Sequence, residues 1–289
     1  MYYRRKIVLA LLDAFGNNLS NIFFQKILFL FCQNQSEPVY NFVPYKYGPF
    51  SFQSYRDRRT MIKYGQLANN YNWSKITSSN FINQITKDDQ LIISNLKRRF
   101  YNFSNSDILD FVYQNYPKYA VKSELNKTRK VNLNSRVDNT NNKLVFFTIG
   151  YEGLSIDSFL KKLMDNEIYL ICDVRKNPIS MKYGFSKNEL KNLLKRIKVE
   201  YIHIPELGID SKKRENLNTP QDYFLLFSDY EKNYLPNRSN QLKTLKDYLF
   251  QHRRIAITCF ESDYKFCHRH KISEALEKNK DWNIPIIHL

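Results

Sequence analysis

Residues 144–289 alternate short apolar runs with amphipathic segments, and this alternation restricts the folds open to the chain. Five runs are short enough to be strands: 144–149, 168–174, 201–205, 254–260 and 284–287. The segments between them, such as 155–166 and 186–198, have helical periodicity. Strands that alternate with helices form parallel βαβ units whose sheet is covered on both faces. The pattern predicts a mostly parallel, Rossmann-like α/β domain.

Residues 1–121 have a different, mainly helical pattern. Five helices are predicted from apolar spacing and capping residues, at 3–15, 20–33, 52–64, 87–100 and 104–115. Ser20 and Ser51 are suitable N-caps, and Leu67–Ile76 is predicted to form a short strand pair or wing. These features predict a basic, mainly helical, winged-helix-like domain.

Residues 122–143 separate these two patterns. The stretch is polar and rich in Asn, contains no aromatic residue and lacks hydrophobic periodicity. Such a segment cannot bury enough apolar surface to fold alone. The predicted organisation is therefore a helical domain at 1–121, a linker at 122–143 and an α/β domain at 144–289.

Positive charge is concentrated in the first half of the chain. The 289 residues carry a formal net charge of +17. Residues 1–143 contain 21 Lys and Arg against 9 Asp and Glu, whereas residues 144–289 contain 24 against 19. This distribution favours a polyanion-binding surface in the N-terminal half. A solvated, lysine-rich surface is the alternative.

Composition also bears on the compartment of the protein. No stretch approaches the roughly 18 to 20 apolar residues that span a bilayer, and the basic N-terminus is not followed by a secretory signal pattern. Four cysteines in a chain of this length do not make a disulfide framework. We therefore expect a cytoplasmic protein with reduced thiols and no membrane partner.

Polar and turn-forming residues follow four of the predicted strands. They occur in the segments Gly150–Gly153, Asp173–Pro178, Pro205–Gly208 and Cys259–Glu261, and Cys267–Arg269 follows the last of these. The carboxyl ends of parallel strands meet at one edge of a sheet, where ligands bind. The sequence therefore predicts a site at this edge.

The motifs FTIGYEG, DVRKNP, GFS, YIHIPELG and CFESDYKFCHRH resemble those of the domain family of unknown function numbered 488. The resemblance covers roughly residues 146–288 and implies an α/β sandwich whose chemistry is not generally established. Matched motif by motif, it implies a polar rim made by Tyr151, Glu152, Asp173, Arg175, Glu261, Cys267, His268 and Arg269. The loop after Gly208 departs from the family pattern.

Within this rim, an anion pocket is the principal hypothesis. Arg269 lies at the predicted start of a helix, where free N–H groups favour anions, and Arg175 leaves a neighbouring strand. With Tyr151 and Asp173, these arginines are predicted to bind a phosphate or carboxylate. The alternative is a structural ion network in which Arg175 pairs with Asp173 or Glu261.

Four residues are candidates for catalysis. Glu152 and Glu261 could act as general acid and base, or flank a glycosidic or N-glycosidic bond. Alternatively, one of them caps a helix or binds Arg175. Cys267 and His268 form a second candidate pair. Covalent cysteine catalysis ranks below simple anion binding, because Cys267 and Arg269 are only two residues apart and cannot flank a phosphate-binding loop.

A metal site is not predicted. Cys259, Cys267, His268 and His270 do not follow a usual zinc spacing, and Cys259 falls in an apolar strand, which favours a packed thiol. The sequence identifies no cofactor.

The helix after Ser51 is basic and carries many polar side chains, as groove-reading helices do. The residues predicted to contact nucleic acid, DNA rather than RNA, are Lys46, Gln53, Arg56, Arg58, Arg59, Lys63 and Lys75. The segment Trp73–Lys75 would add stacking and phosphate contacts. A solvated helix face or a protein-docking surface is the alternative.

Three functions are consistent with these features. The first is a nucleic-acid- or nucleotide-binding enzyme, a hydrolase that processes a phosphate-bearing substrate. The second is a non-enzymatic DNA-binding regulator with a ligand-sensing α/β domain, and the third is a protein-interaction module. The segments KILFLF and FVPYKYGPFS resemble, more weakly, helical and winged-helix modules fused to defence and toxin–antitoxin proteins. That resemblance implies a role in phage defence.

Overall fold

The computed structural model describes residues 1–127, 143–214 and 217–289. The chain divides into two compact units, residues 1–135 and 136–289. Most of the predicted linker, 128–142, lies outside the described residues. Its first residues belong to the packing of unit 1, because the Ser123 hydroxyl bonds to Tyr113 Oη at 2.6 Å and Glu124 pairs with Lys46 at 3.0 Å.

Unit 1 is mainly helical, as the apolar spacing predicts. Its helices are α1 (Tyr3–Ala14), α2 (Asn21–Gln33), α3 (Phe52–Lys63), α4 (Lys87–Phe100), α5 (Asn105–Asn115) and α6 (Pro117–Ala120). Its strands are β1 (Asn18–Leu19), β2 (Val43–Tyr45), β3 (Gly48–Phe50) and β4 (Trp73–Ser74). Ser20 and Ser51 cap α2 and α3 as expected, through bonds from the backbone N–H of Phe23 and Ser54.

The strands of unit 1 form two small antiparallel sheets. β2 and β3 are adjacent in sequence and form a hairpin. β1 and β4 pair although α2, the hairpin and α3 lie between them in the chain. Trp73, in the predicted wing, is fully buried and stacks on Phe24 with ring centroids 3.9 Å apart. The expected base-stacking role for this tryptophan is wrong, because its ring belongs to the core.

Unit 2 is an α/β domain. Its elements in chain order are β5 (Val145–Gly150), α7 (Ile156–Asp165), β6 (Leu170–Asp173), α8 (Lys187–Arg196), β7 (Glu200–His203), α9 (Pro220–Asp229), α10 (Ser239–His252), β8 (Arg254–Cys259), α11 (Arg269–Glu277) and β9 (Ile286–His288). The five strands form one sheet in the order β7-β6-β8-β5-β9, and every pair is parallel. The predicted fold class is confirmed.

The register of this sheet brings the polar strand ends together. Asp173 pairs with Thr258 on one side and His203 on the other, and Gly150 pairs with Cys259. One face of the sheet packs on α9, α10 and α11 through a single apolar cluster, to which alternate residues of the strands contribute. The carboxyl edge of β8 thus lies between the ends of β5 and β6.

In the part of the chain that the structure describes, no helix is both long and apolar enough to cross a membrane.

Candidate functional site

Arg175 and Asp173 form a buried ion pair at the end of β6. Arg175 Nε and Nη2 donate to the two carboxylate oxygens of Asp173 at 2.8 and 2.5 Å. Arg175 Nη1 donates to Tyr151 Oη at 2.9 Å and to the backbone oxygen of Phe185 at 2.8 Å. Tyr201 Oη donates to the same aspartate at 2.8 Å. The structure therefore has the ion network that was the alternative to an anion pocket at Arg175.

Arg269 holds the loop that follows β8. Its side chain is completely buried, and its guanidinium donates to the backbone oxygens of Glu261 and Ser262, the latter at 2.8 Å. A Cβ on Gly150 would lie 1.8 Å from that same Glu261 oxygen, so only glycine fits beside this loop. Arg269 was predicted to bind phosphate, but its donors serve the backbone instead.

Two cysteines and a histidine meet beside this loop. Cys259 is the last residue of β8, and Cys267 and His268 immediately precede α11. His268 Nδ1 lies 3.7 Å from Cys259 Sγ and 3.8 Å from Cys267 Sγ. All three side chains are buried. His268 Nε2 is 3.1 Å from the backbone oxygen of Val174, which can only accept, so Nε2 carries the hydrogen and Nδ1 is the acceptor.

Arg214 and Glu261 complete the group of charged and polar side chains, which we call the thiol cluster: Arg214, Cys259, Glu261, Cys267 and His268. Arg214 Nη2 donates to His268 Nδ1 at 2.9 Å and lies 3.9 Å from Cys259 Sγ. Arg214 Nη1 donates to Glu261 Oε1 at 3.0 Å, and Glu261 Oε2 lies 3.4 Å from Cys259 Sγ. Cys259 is therefore next to a guanidinium, a carboxyl group and a second thiol.

The two thiols of the cluster have opposite acidities. A hydrogen bond from Cys267, with contributions from His268 and Arg214, lowers the pKa of Cys259 well below its usual range although burial opposes this. Burial and the proximity of Cys259 raise the pKa of Cys267 well above its usual range. Burial also raises the pKa of Glu261, as does Cys259. The two shifts favour the thiolate form of Cys259 and the thiol form of Cys267.

Cys259 lies in the wall of a pocket at the carboxyl edge of the sheet. The pocket has a volume of about 330 Å³. Its polar lining residues are Tyr151, Arg175, Lys176, Asn177, Ser180, Arg214 and Cys259. Ile179 and Met181, both highly exposed, lie at its rim with Phe260. No Asp or Glu of the described ranges 1–127, 143–214 and 217–289 is among the lining residues.

The predicted catalytic residues occupy two different places. Glu261, Cys267 and His268 belong to the thiol cluster. Glu152 Oε2 instead accepts hydrogen bonds from the backbone N–H and the hydroxyl of Ser262, at 3.0 and 3.1 Å. Glu152 therefore holds the loop after β8, which is neither of the expected alternatives, a helix cap or a partner of Arg175.

The sequence analysis did not single out Cys259 or Arg214 as candidates. Cys259 is packed, as the sequence predicts, but it also borders the pocket and has a lowered pKa. Its position as the last residue of a strand, two residues before Glu261, was the available signal. Arg214 gave no such signal, because it lies in a short 3₁₀ turn (Ser211–Arg214) far from the other members in sequence.

The cluster also bears on metal binding, which the sequence did not predict. Cys259 Sγ, Cys267 Sγ and His268 Nδ1 lie within 4.8 Å of one another, and the bond from His268 Nε2 to a backbone oxygen is typical of metal-ligating histidines. However, Arg214 already donates to the Nδ1 lone pair that a metal would need. In this arrangement a hydrogen bond therefore occupies the nitrogen that a metal ion would bind.

The residues predicted to bind nucleic acid are not equivalent in unit 1. Arg58 Nη2 donates to the backbone oxygens of Asn70 and Asn72, and Lys75 is buried in an ion pair with Asp13. These two side chains hold the segment that contains β4, so the prediction that they contact nucleic acid is not supported by their geometry. Lys46 pairs with Glu124. The remaining predicted residues, Gln53, Arg56, Arg59 and Lys63, lie along α3.

Fold and site together define an α/β domain with a cysteine-containing pocket at the carboxyl edge of a five-stranded parallel sheet. The family model described as "Domain of unknown function DUF488" matches residues 155–276. This match lies within unit 2, where the motifs indicated the same family. No curated protein and no solved structure matches the chain.

Arg175→Ala is expected to destabilise unit 2 rather than to remove a ligand-binding group. It would leave Asp173 buried without a counter-ion, and breaking such a pair costs about 3 kcal/mol or more. We expect a loss of this size in the free energy of unfolding in urea, with faster hydrogen exchange of the β6 amides. Lys195→Ala, at an exposed position on α8, is the control and should change stability by less than about 0.5 kcal/mol. An Arg175→Ala protein as stable as the control would contradict this assignment.

Proposed function

We propose that unit 2 is an enzyme domain that acts on a phosphate-bearing substrate, with the Cys259 thiolate as the nucleophile. The observation that supports this most is the position of Cys259 Sγ, in the wall of the pocket and 3.9 Å from the Arg214 guanidinium. A thiolate, not a thiol, is the nucleophilic form of cysteine, and a neighbouring arginine favours it.

The charge of the pocket supports an anionic substrate. Arg214 and Lys176 are both in its lining, whereas no Asp or Glu of the described residues is. Arg175 also borders the pocket, but Asp173 balances its charge, and Glu261 balances part of the charge of Arg214. A phosphate placed between Lys176 and Arg214 would contact two positively charged side chains. The exposed Ile179, Met181 and Phe260 at the rim would contact an apolar part of the same substrate, such as a nucleobase.

Glu261 is suited to donate a proton to the leaving group. Burial raises the pKa of its carboxyl group, so that a larger fraction is protonated near neutral pH than for an exposed glutamate. In the hydrolytic reaction that we propose, Cys259 attacks the electrophilic centre of the substrate and the leaving group takes the Glu261 proton. Water then cleaves the covalent intermediate, and Glu261 recovers a proton from that water.

The reactivity of Cys259 toward iodoacetamide tests the thiolate. Because the pKa of Cys259 is lowered, we expect its alkylation rate to be nearly constant between about pH 6.5 and pH 8. An ordinary thiol, with a pKa of about 8.5, becomes about tenfold more reactive per pH unit below that value. Mass spectrometry of the tryptic peptide 255–265 would measure the rate for Cys259 alone.

Arg214→Ala should move this pH profile to higher pH, and each unit that the pKa rises above 7 lowers the neutral rate about tenfold. Lys212→Ala is the matched control, since it removes a positive charge from an exposed position on the same 3₁₀ turn. Inorganic pyrophosphate should slow alkylation of the wild-type protein, and less so in Arg214→Ala. A wild-type rate that rises like that of an ordinary thiol, with no effect of pyrophosphate, would refute the proposal.

For unit 1, we propose nucleic-acid binding through α3. Arg59 and Lys63 are exposed and four residues apart, which places them on the same side of the helix. The excess of positive charge in residues 1–143 supports a polyanionic partner. With the nucleotide-directed chemistry proposed for unit 2, this binding would bring a nucleic-acid substrate to the protein. A role in phage defence would be consistent with such a protein and stays a prediction.

The double variant Arg59→Ala/Lys63→Ala should bind duplex DNA more weakly and with a smaller salt dependence. Each lost phosphate contact reduces the slope of log K against log salt concentration by about 1. Fluorescence anisotropy at several salt concentrations measures both quantities. Lys118→Ala/Lys122→Ala removes the same charge at two other exposed positions of unit 1 and should leave the slope closer to that of the wild type. Equal effects of the two double variants would mean that net charge alone, and not α3, determines binding.

A further inference from the structure

Cys259 and Cys267 are a pair of unbridged thiols whose sulfur atoms approach the same nitrogen. Both lie within 4 Å of His268 Nδ1, and the two sulfurs are less than 4.8 Å apart. The other cysteines have no such neighbour, since Cys32 lies in the core of unit 1 and Cys172 in the apolar cluster of unit 2. The pair is therefore distinct from the remaining thiols of the chain.

The backbone holds the two thiols in place independently of each other. Cys259 ends β8, and Cys267 follows the 3₁₀ turn Tyr264–Phe266, with an extended backbone at φ −132° and ψ 137°. Arg269 ties the intervening loop to the protein through two backbone oxygens. A disulfide needs the sulfurs to come within about 2.05 Å of each other, which side-chain rotation and a small movement of residues 260–266 would supply.

The two thiols also differ in their position relative to the pocket. The side chains of both are almost completely buried, but Cys259 lines the pocket and Cys267 does not. A hydroperoxide that enters the pocket would meet Cys259 first and leave Cys267 as its nearest sulfur neighbour. We propose that Cys259 and Cys267 are a site of reversible oxidation, at which a hydroperoxide is reduced and the two cysteines form a disulfide.

The reaction has two steps. Cys259 sulfur attacks the terminal oxygen of the hydroperoxide, the O–O bond breaks, and the departing hydroxide or alkoxide takes a proton from solvent. This oxidises Cys259 by two electrons to a sulfenic acid. Cys267 sulfur then attacks Cys259 sulfur, the S–O bond breaks, and the hydroxide leaves as water with the proton lost by Cys267. An external dithiol would reverse the modification.

This inference rests on the same Cys259 thiolate as the proposed function but needs no substrate, so the two can fail separately. The full chain would be treated with hydrogen peroxide, its free thiols blocked, and the protein digested with trypsin. Cys259 falls in peptide 255–265 and Cys267 in peptide 266–269, so their disulfide appears as a cross-linked peptide pair. We expect this pair to form on peroxide treatment and to disappear with dithiothreitol, while Cys32 and Cys172 stay reduced.

The variant Cys267→Ser separates the two steps. It keeps Cys259 but removes the second thiol, so we expect no cross-link and an accumulation of sulfenic acid at Cys259, detected as a dimedone adduct. Cys259→Ser should give neither product. Circular dichroism of each variant would show whether it is folded, and the wild-type cross-link remains informative if a variant is not.

Two results would overturn the inference. One is direct oxidation of wild-type Cys259 to sulfinic acid with no cross-linked pair, although iodoacetamide alkylates Cys259 rapidly at neutral pH. This result would overturn the disulfide but not the proposal that Cys259 is a nucleophile. The other is one equivalent of zinc in the purified protein that protects both cysteines from peroxide, which would assign Cys259, Cys267 and His268 to metal binding instead.

Discussion

The geometry of unit 2 depends on how Arg269 holds the loop between β8 and α11. Its buried guanidinium donates to two successive backbone oxygens, those of Glu261 and Ser262. The arginine is fully buried, whereas the loop that carries these carbonyls is partly exposed. Because the loop is fixed at these carbonyls, Glu261 projects beside Cys259, and the chain returns to place Cys267 and His268 there as well. Arg269 thus positions the thiol cluster through backbone carbonyls.

The three arginines near the carboxyl edge of the sheet have different electrostatic roles. The charge of Arg175 is neutralised by Asp173 within the same network, and its donors are largely used. Arg269 is surrounded by backbone dipoles. Arg214 is the one of the three that contacts both a sulfur and a carboxyl group of the cluster. Its charge is therefore shared between Glu261 and Cys259, the two groups that it contacts in the cluster.

Sequence patterns predicted the fold of unit 2 and the location of its site better than the roles of the residues. Strand and helix positions follow from periodicity, and a parallel sheet necessarily collects its strand ends at one edge. The roles of Arg175 and Arg269 were not predictable in this way. The residues next to an arginine in sequence do not show whether it will bond within the protein or bind an anionic ligand. The pocket contact of Cys259 was not predictable for a related reason: the last residue of a buried strand can be packed in the core and still border the pocket that begins where the strand ends.

A thiolate that is nearly inaccessible to water is costly unless other groups replace its solvation. At Cys259 that replacement comes from the Cys267 thiol and the Arg214 guanidinium. Cys267 can supply a hydrogen bond only while it keeps its own proton, and its raised pKa favours this protonated form. The group that stabilises a Cys259 thiolate is therefore a second sulfur close to the first. Any process that converts Cys259 to an electrophilic sulfur places it directly beside a thiol, so activation of this cysteine and its susceptibility to disulfide formation have the same structural origin.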